Sequence, residues 1–159
     1  MIARALVTGL IATSATAGAL VGFGLRAGTP FRGFNAMASL VLGDQATGAW
    51  GWMSTVTPAG MIVHVTVMMG WGVLFAFLAA RLRGWQPAAA AAGVALGAWF
   101  VTRAVVLHRV GPGVAAVLGP GQLVGLHVVL GVALALGMRF AFRGDGDHPR
   151  RRVDPVESP

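Results

Sequence analysis

Apolar residues occupy four long blocks of the chain, Ala5 to Leu25, Pro58 to Ala80, Ala88 to Leu107 and Pro120 to Met138, each of about 19 to 23 residues. At 1.5 Å per residue, a helix of that length spans roughly 30 Å, the hydrocarbon thickness of a bilayer. None of the blocks alternates with a period of two, and lipid admits only helices or closed barrels, so the pattern predicts four transmembrane helices. Pro58, Pro87 and Pro120 stand at block starts, where a missing N–H costs a helix little. The expected architecture is all-α: a polytopic membrane protein whose spans form a compact bundle over residues 1–143.

The first block also has features of a secretory signal, with Arg4 ahead of it and Ala15-Thr16-Ala17 as a small-residue cleavage pattern. The apolar run continues past that point to Leu25, however, and favours a retained span. The connection from Arg26 to Thr57 is too long for a plain hairpin loop. Within it, Phe34, Met37, Leu40 and Val41 recur at helical spacing behind Asn35, which suggests a short interfacial helix with Asn35 as its cap. Residues 144–159 carry every acidic side chain except Asp44, with prolines, arginines and no apolar period, and are expected to form a disordered cytoplasmic tail.

A faint internal echo runs through this layout. Asn35-Ala-Met-Ala-Ser-Leu-Val-Leu-Gly43 precedes the second span much as Gly113-Val-Ala-Ala-Val-Leu-Gly119 precedes the fourth. A histidine follows in each, His64 or His127, and the distance to an exit arginine is 17 residues to Arg81 in one case and 16 to Arg143 in the other. Such spacing suits two pseudo-repeated helical hairpins, and it equally suits coincidence in a restricted alphabet. Small residues four apart, Gly18/Gly22, Gly93/Gly97, Gly121/Gly125 and Ala133/Gly137, provide faces on which helices pack closely in lipid.

Composition agrees with the pattern. The 159 residues are 56% hydrophobic and 11% charged, with a mean hydropathy of +0.74, more apolar surface than a soluble core of this size can bury. The net charge of +7 comes from arginine alone. In a soluble domain it would suggest nucleic acid, but here the arginines flank apolar blocks, where they orient a protein against anionic lipid. With an even number of spans, one side collects Arg4, Arg81, Arg83, Arg139, Arg143 and Arg150–Arg152, against Arg26, Arg32, Arg103 and Arg109 on the other. The positive-inside rule then places both termini in the cytoplasm and identifies a multi-pass protein of the cell inner membrane. The absence of cysteine excludes disulfides, thiolate catalysis and cysteine metal sites. No phosphate loop, nucleophile elbow, metalloprotease motif or paired intramembrane carboxylates are present to point to an enzyme.

A few polar residues inside the blocks need a reason. His64, His127 and Arg103 come from three different spans, at roughly 6 to 10 Å below the outer boundary, and His108 sits at that boundary. Arg103 either snorkels to the interface or faces the bundle and binds an anion such as a lipid phosphate or a propionate. Three readings are open for the histidines. They can tie helices together through a carbonyl or hydroxyl, with Thr13 and Ser14 among the partners within reach. They can ligate haem b, with Arg103 on a propionate, or a copper or zinc ion completed by His108. They can also form a proton or quinone site.

Gly9-Leu-Ile-Ala-Thr13, His64-Val-Thr-Val-Met-Met-Gly-Trp-Gly-Val-Leu-Phe-Ala76 and Leu126-His-Val-Val-Leu-Gly131 together resemble small four-helix bacterial integral membrane proteins of uncharacterised function. The resemblance covers most of residues 5–143 and implies a fold and a location without an activity. The leading expectation is therefore a structural or accessory membrane subunit that associates with lipid and with other subunits or copies of itself. A haem- or metal-binding redox protein is the alternative, and a small oligomeric transporter or channel the third. Topology reporters fused after Asp44 and after Glu157 should read opposite sides of the membrane; the same side for both would refute the four-span assignment.

Overall fold

The computed structural model describes residues 2–46, 48–110, 114 and 117–143, and among them every regular element is helical. The long helices are α1 (Ile2–Arg26), α3 (Val56–Ala79), α4 (Gln86–Val101) and α5 (Pro120–Arg143). The shorter α2 (Arg32–Leu42) leads into a 3₁₀ turn, Gly43–Ala46. α4 continues without a break into a π-helical stretch, Thr102–Val110. Four stretches, Ile2–Arg26, Val56–Ala79, Gln86–Leu107 and Pro120–Ala141, are long and apolar enough to cross a membrane. The chain is accordingly a multi-pass membrane protein by length and hydropathy. The helices overrun the apolar blocks by up to five residues because backbone hydrogen bonding continues past the point where the side chains turn polar.

Local chemistry sets the helix starts. At α5, Gly119 N–H donates to Gln122 Oε1 at 3.0 Å, half of a capping box ahead of Pro120. Between α3 and α4 the chain reverses through Gly84, whose φ of 61° is costly for any residue with a Cβ. α2 forms where the spacing predicts, but Asn35 does not cap it. Phe31 occupies the N-cap, Asn35 lies a full turn inside, and its side chain is completely buried. The expected apolar stripe is likewise only half right: Phe34 is buried, whereas Val41 is 63% exposed. The buried face is the small one, including Gly33, Ala36, Ala38 and Ser39, because close approach to α3 matters more here than apolar area.

α1 lies between α3 and α5, α4 rests chiefly on α5, and α2 packs on the N-terminal half of α3. Where α1, α3 and α5 meet, Ala12, Met68, Phe75, Leu130, Leu134 and Met138 form one buried cluster. Leu20, Phe34, Leu118, Leu123 and Leu126 form a second cluster nearer the other end.

Of the expected pairs, only Ala133/Gly137 contributes to the close approaches, through Gly137. Gly18, Gly22, Gly93, Gly97 and Gly121 face open space. The close approaches instead use single glycines. A Cβ on Gly72 would collide with the Gly9 backbone, one on Gly60 with the Phe34 carbonyl, and one on Gly137 would come within 2.9 Å of Thr8 Cα. Gly60→Ala and Gly72→Ala should each lower stability by roughly 1 to 3 kcal/mol through overpacking. Gly18→Ala and Gly93→Ala should stay within about 0.5 kcal/mol. Unfolding by SDS in mixed micelles measures both pairs.

Candidate functional site

The polar side chains of the spans fall into two separate groups. The first threads between α1, α2 and α3, where Thr13, Thr16, Asn35, Thr57 and His64 are all buried. His64 lies eight residues into α3 and is 1% exposed. Its Nε2 is 3.2 Å from Thr16 Oγ1 and 3.3 Å from the Thr13 carbonyl, both on α1. Thr16 Oγ1 donates its one hydrogen to Ala12 O at 2.7 Å, so it can only accept from the ring. The network therefore assigns the hydrogen of a neutral His64 to Nε2 and leaves Nδ1 as a bare lone pair, buried without a hydrogen-bond partner. Phe34 of α2 covers the ring edge-on, with centroids 5.6 Å apart at 83°.

Asn35 and Thr57 continue this thread toward the loop that precedes α3. Asn35 Nδ2 donates to the carbonyls of Ala49 at 3.0 Å and Gly51 at 2.8 Å, and Thr57 Oγ1 donates to Asn35 Oδ1 at 2.7 Å. Met53 N–H in turn donates to Thr57 Oγ1 at 3.0 Å. One amide thus satisfies two loop carbonyls and ties α2 to α3. Sequence reasoning missed this role, and the available signal was a polar amide placed beside Phe34 in a stretch of small residues.

The second group joins α4 to α5. His127 Nδ1 is 2.8 Å from the Leu123 carbonyl one turn back, and a carbonyl only accepts, so Nδ1 carries the hydrogen. Nε2 of that neutral ring is then an acceptor 3.3 Å from Thr102 Oγ1, and Thr102 has one hydrogen, for which Nε2 competes with Ala98 O at 2.8 Å. The two histidines thus hold opposite tautomers. Each bridges to a threonine on the span that precedes its own.

The four residues singled out as ligands are distributed as follows. His64 belongs to the α1–α3 seam and His127 to the α4–α5 seam, with no hydrogen-bond partner in common. Arg103 is exposed on the π-helical continuation of α4. His108 lies in the same stretch, and its side chain is outside the described residues. Among the described residues, no three histidine or carboxylate side chains converge as a metal site would require. Of the three readings, the helix-tying one describes the hydrogen bonds of both rings, down to the Thr13 carbonyl.

Between α4 and α5 a largely open groove of about 530 Å³ runs along the outer face of the pair. Ala88, Ala92 and Trp99 line it from α4, and His127, Val128 and Ala135 from α5. Comparisons with family models, curated proteins and solved structures find no match to this chain.

Removing the His64 ring should cost about 2 kcal/mol in His64→Ala, combining a lost buried hydrogen bond with a cavity. Thr16→Val, which keeps the shape and loses only the hydroxyl, should cost about 0.6 kcal/mol, the average for interhelical bonds in lipid. A double-mutant cycle measured by SDS unfolding would show coupling between the two; strict additivity would mean that the bond adds nothing.

Proposed function

We propose that this chain is a structural or accessory subunit of a larger assembly in the cell inner membrane, without catalytic activity of its own and with both termini in the cytoplasm. What carries the reading is how its few polar groups are used: His64 and His127 are each engaged in a seam between two of the protein's own helices. The outward faces give the assembly role its support. Gly18 and Gly22 on α1 and Gly93 and Gly97 on α4 have nothing packed on them, and Phe100 stands exposed one turn beyond Gly97. In lipid, small residues four apart offer a second helix close backbone contact that large ones prevent.

We further propose that the four spans form one bundle built from two like hairpins. In α1–α3 a threonine of the first span meets a histidine of the second, and α4–α5 repeats the arrangement with Thr102 and His127. Both threonines also approach the carbonyl four residues back in their own helix, at 2.7 Å for Thr16 and 2.8 Å for Thr102, though Thr16 accepts from its ring while Thr102 faces an accepting one.

A second reading, ligation of haem or a metal ion, draws on the bare Nδ1 of His64. The test separates the two. In mild detergent, the subunit role predicts a species larger than the monomer that shrinks when Gly93 and Gly97 are both replaced by leucine; a monomer unaffected by that change refutes it. An absorption band in the visible that disappears in His64→Ala would establish ligation instead.

A further inference from the structure

We propose that the groove between α4 and α5 holds one acyl chain of an anionic phospholipid, with the headgroup phosphate set against the guanidinium of Arg103. The lipid site stands independently of the subunit role, since a resident lipid is compatible with any partner on the other helix faces.

The dimensions favour a chain over a helix. Both walls span twelve residues, Ala88 to Trp99 and Val124 to Ala135, so the trough is roughly 16 Å long, about half the hydrocarbon thickness. A helix segment of that length and 10 Å across occupies roughly 1,250 Å³. The open groove offers about 530 Å³, less than half of that, so a helix could lie along its mouth but not within it, whereas a single chain can enter between the walls. Ala88, Ala92, Gly131 and Ala135 keep the trough open, and a Cβ at Gly131 would already come within 3.1 Å of Ala95 Cβ.

The chemistry of the lining excludes recognition of a polar group within the trough. His127 is its one ionisable side chain, with Nδ1 bonded to Leu123 O and Nε2 covered by Thr102 Oγ1 at 3.3 Å. A tail seated there is therefore selected by shape alone, and selectivity has to come from the end of the groove. That end is marked by Trp99, and Arg103 follows four residues later, on the same side of the helix and about one turn beyond. Thr102, which touches His127, fixes the orientation of this turn relative to α5. Arg103 is exposed there, and the phosphodiester is the anion that a bilayer supplies near its boundary.

The test uses full-length protein that keeps Trp99 as its only tryptophan, with Trp50, Trp52, Trp71 and Trp85 changed to phenylalanine. It is reconstituted in phosphatidylcholine vesicles containing brominated phosphatidylglycerol or, at equal mole fraction, brominated phosphatidylcholine. Trp99 should be quenched with about a fivefold preference for phosphatidylglycerol, the ratio that about 1 kcal/mol per basic side chain gives at an anionic surface. Arg103→Gln should abolish the preference and Arg103→Lys keep it, while Val128→Phe, which fills the trough, should weaken quenching by both lipids. Equal quenching by the two lipids in the Trp99-only protein, or quenching insensitive to Val128→Phe, overturns the proposal. Trp99 shielded from both lipids, and released as protein is diluted, would put a second copy in the groove and overturn it equally. Native mass spectrometry of the unsubstituted protein is the check that needs no tryptophan changes. It should retain one phosphatidylglycerol, which Arg103→Gln loses, and retention of none refutes the site.

Discussion

Two helices in lipid exchange side-chain hydrogen bonds only where their backbones come close, and in this protein that closeness rests on Gly9 of α1 against Gly72 of α3, where neither side has room for a Cβ. The helices run antiparallel. Seven residues along α1 from that crossing stands Thr16, and eight back along α3 stands His64, so the contact and the hydrogen bond lie about two turns apart on one seam. With the backbones held apart by an added methyl group, the 3.2 Å approach of ring nitrogen to hydroxyl would open. The same crossing holds α1 where it can meet α5, since Gly137 packs on Thr8, the neighbour of Gly9.

From this seam the arrangement around α2 follows. α2 reaches α3 because Gly60 admits the Phe34 carbonyl, and once there Phe34 caps the His64 ring while Asn35 turns toward Thr57. Asn35 then draws the carbonyls of Ala49 and Gly51 onto its amide, so the loop ahead of α3 is anchored by a helix that needs no side-chain cap of its own. Phe31 against Trp52, with ring centroids 5.2 Å apart, and Arg32 over the Trp50 ring at 4.0 Å finish the same region from the aromatic side. The polar groups and the glycines thus form one system, in which close backbones bring donors to acceptors that lipid would otherwise leave unmatched.

α4 is held differently. It rests on α5 by small residues and one imidazole–hydroxyl contact, and it leaves a trough along its flank instead of closing against its neighbour. The helix loosens into π geometry at Thr102, the residue that reaches His127, so the register change and the polar contact coincide. A span that is held along one side and open along the other offers the bilayer, or another subunit, more surface than α1 does.

Hydropathy alone determined the number of spans and their approximate ends, because the cost of placing a polar backbone or a carboxylate in hydrocarbon is large and is visible residue by residue. Spacing alone also located α2, and chemistry alone named His64, His127, Arg103 and His108 as the groups needing an account. Which of them meet was decided only in three dimensions. Asn35 reads as a cap because amides cap helices in general, and it became an anchor because Ala49, Gly51 and Thr57 arrive from elsewhere in the chain. The paired small residues read as packing faces, yet Gly9, Gly60 and Gly72 make the contacts, joined from those pairs by Gly137 alone, since a motif records where backbones are able to approach and not which ones do. The tautomer of His64 was out of reach of sequence for the same reason: a ring's hydrogen goes where its neighbours accept it, and those neighbours lie 48 and 51 residues away on α1, whereas His127 gives its hydrogen to the Leu123 carbonyl one turn back in its own helix.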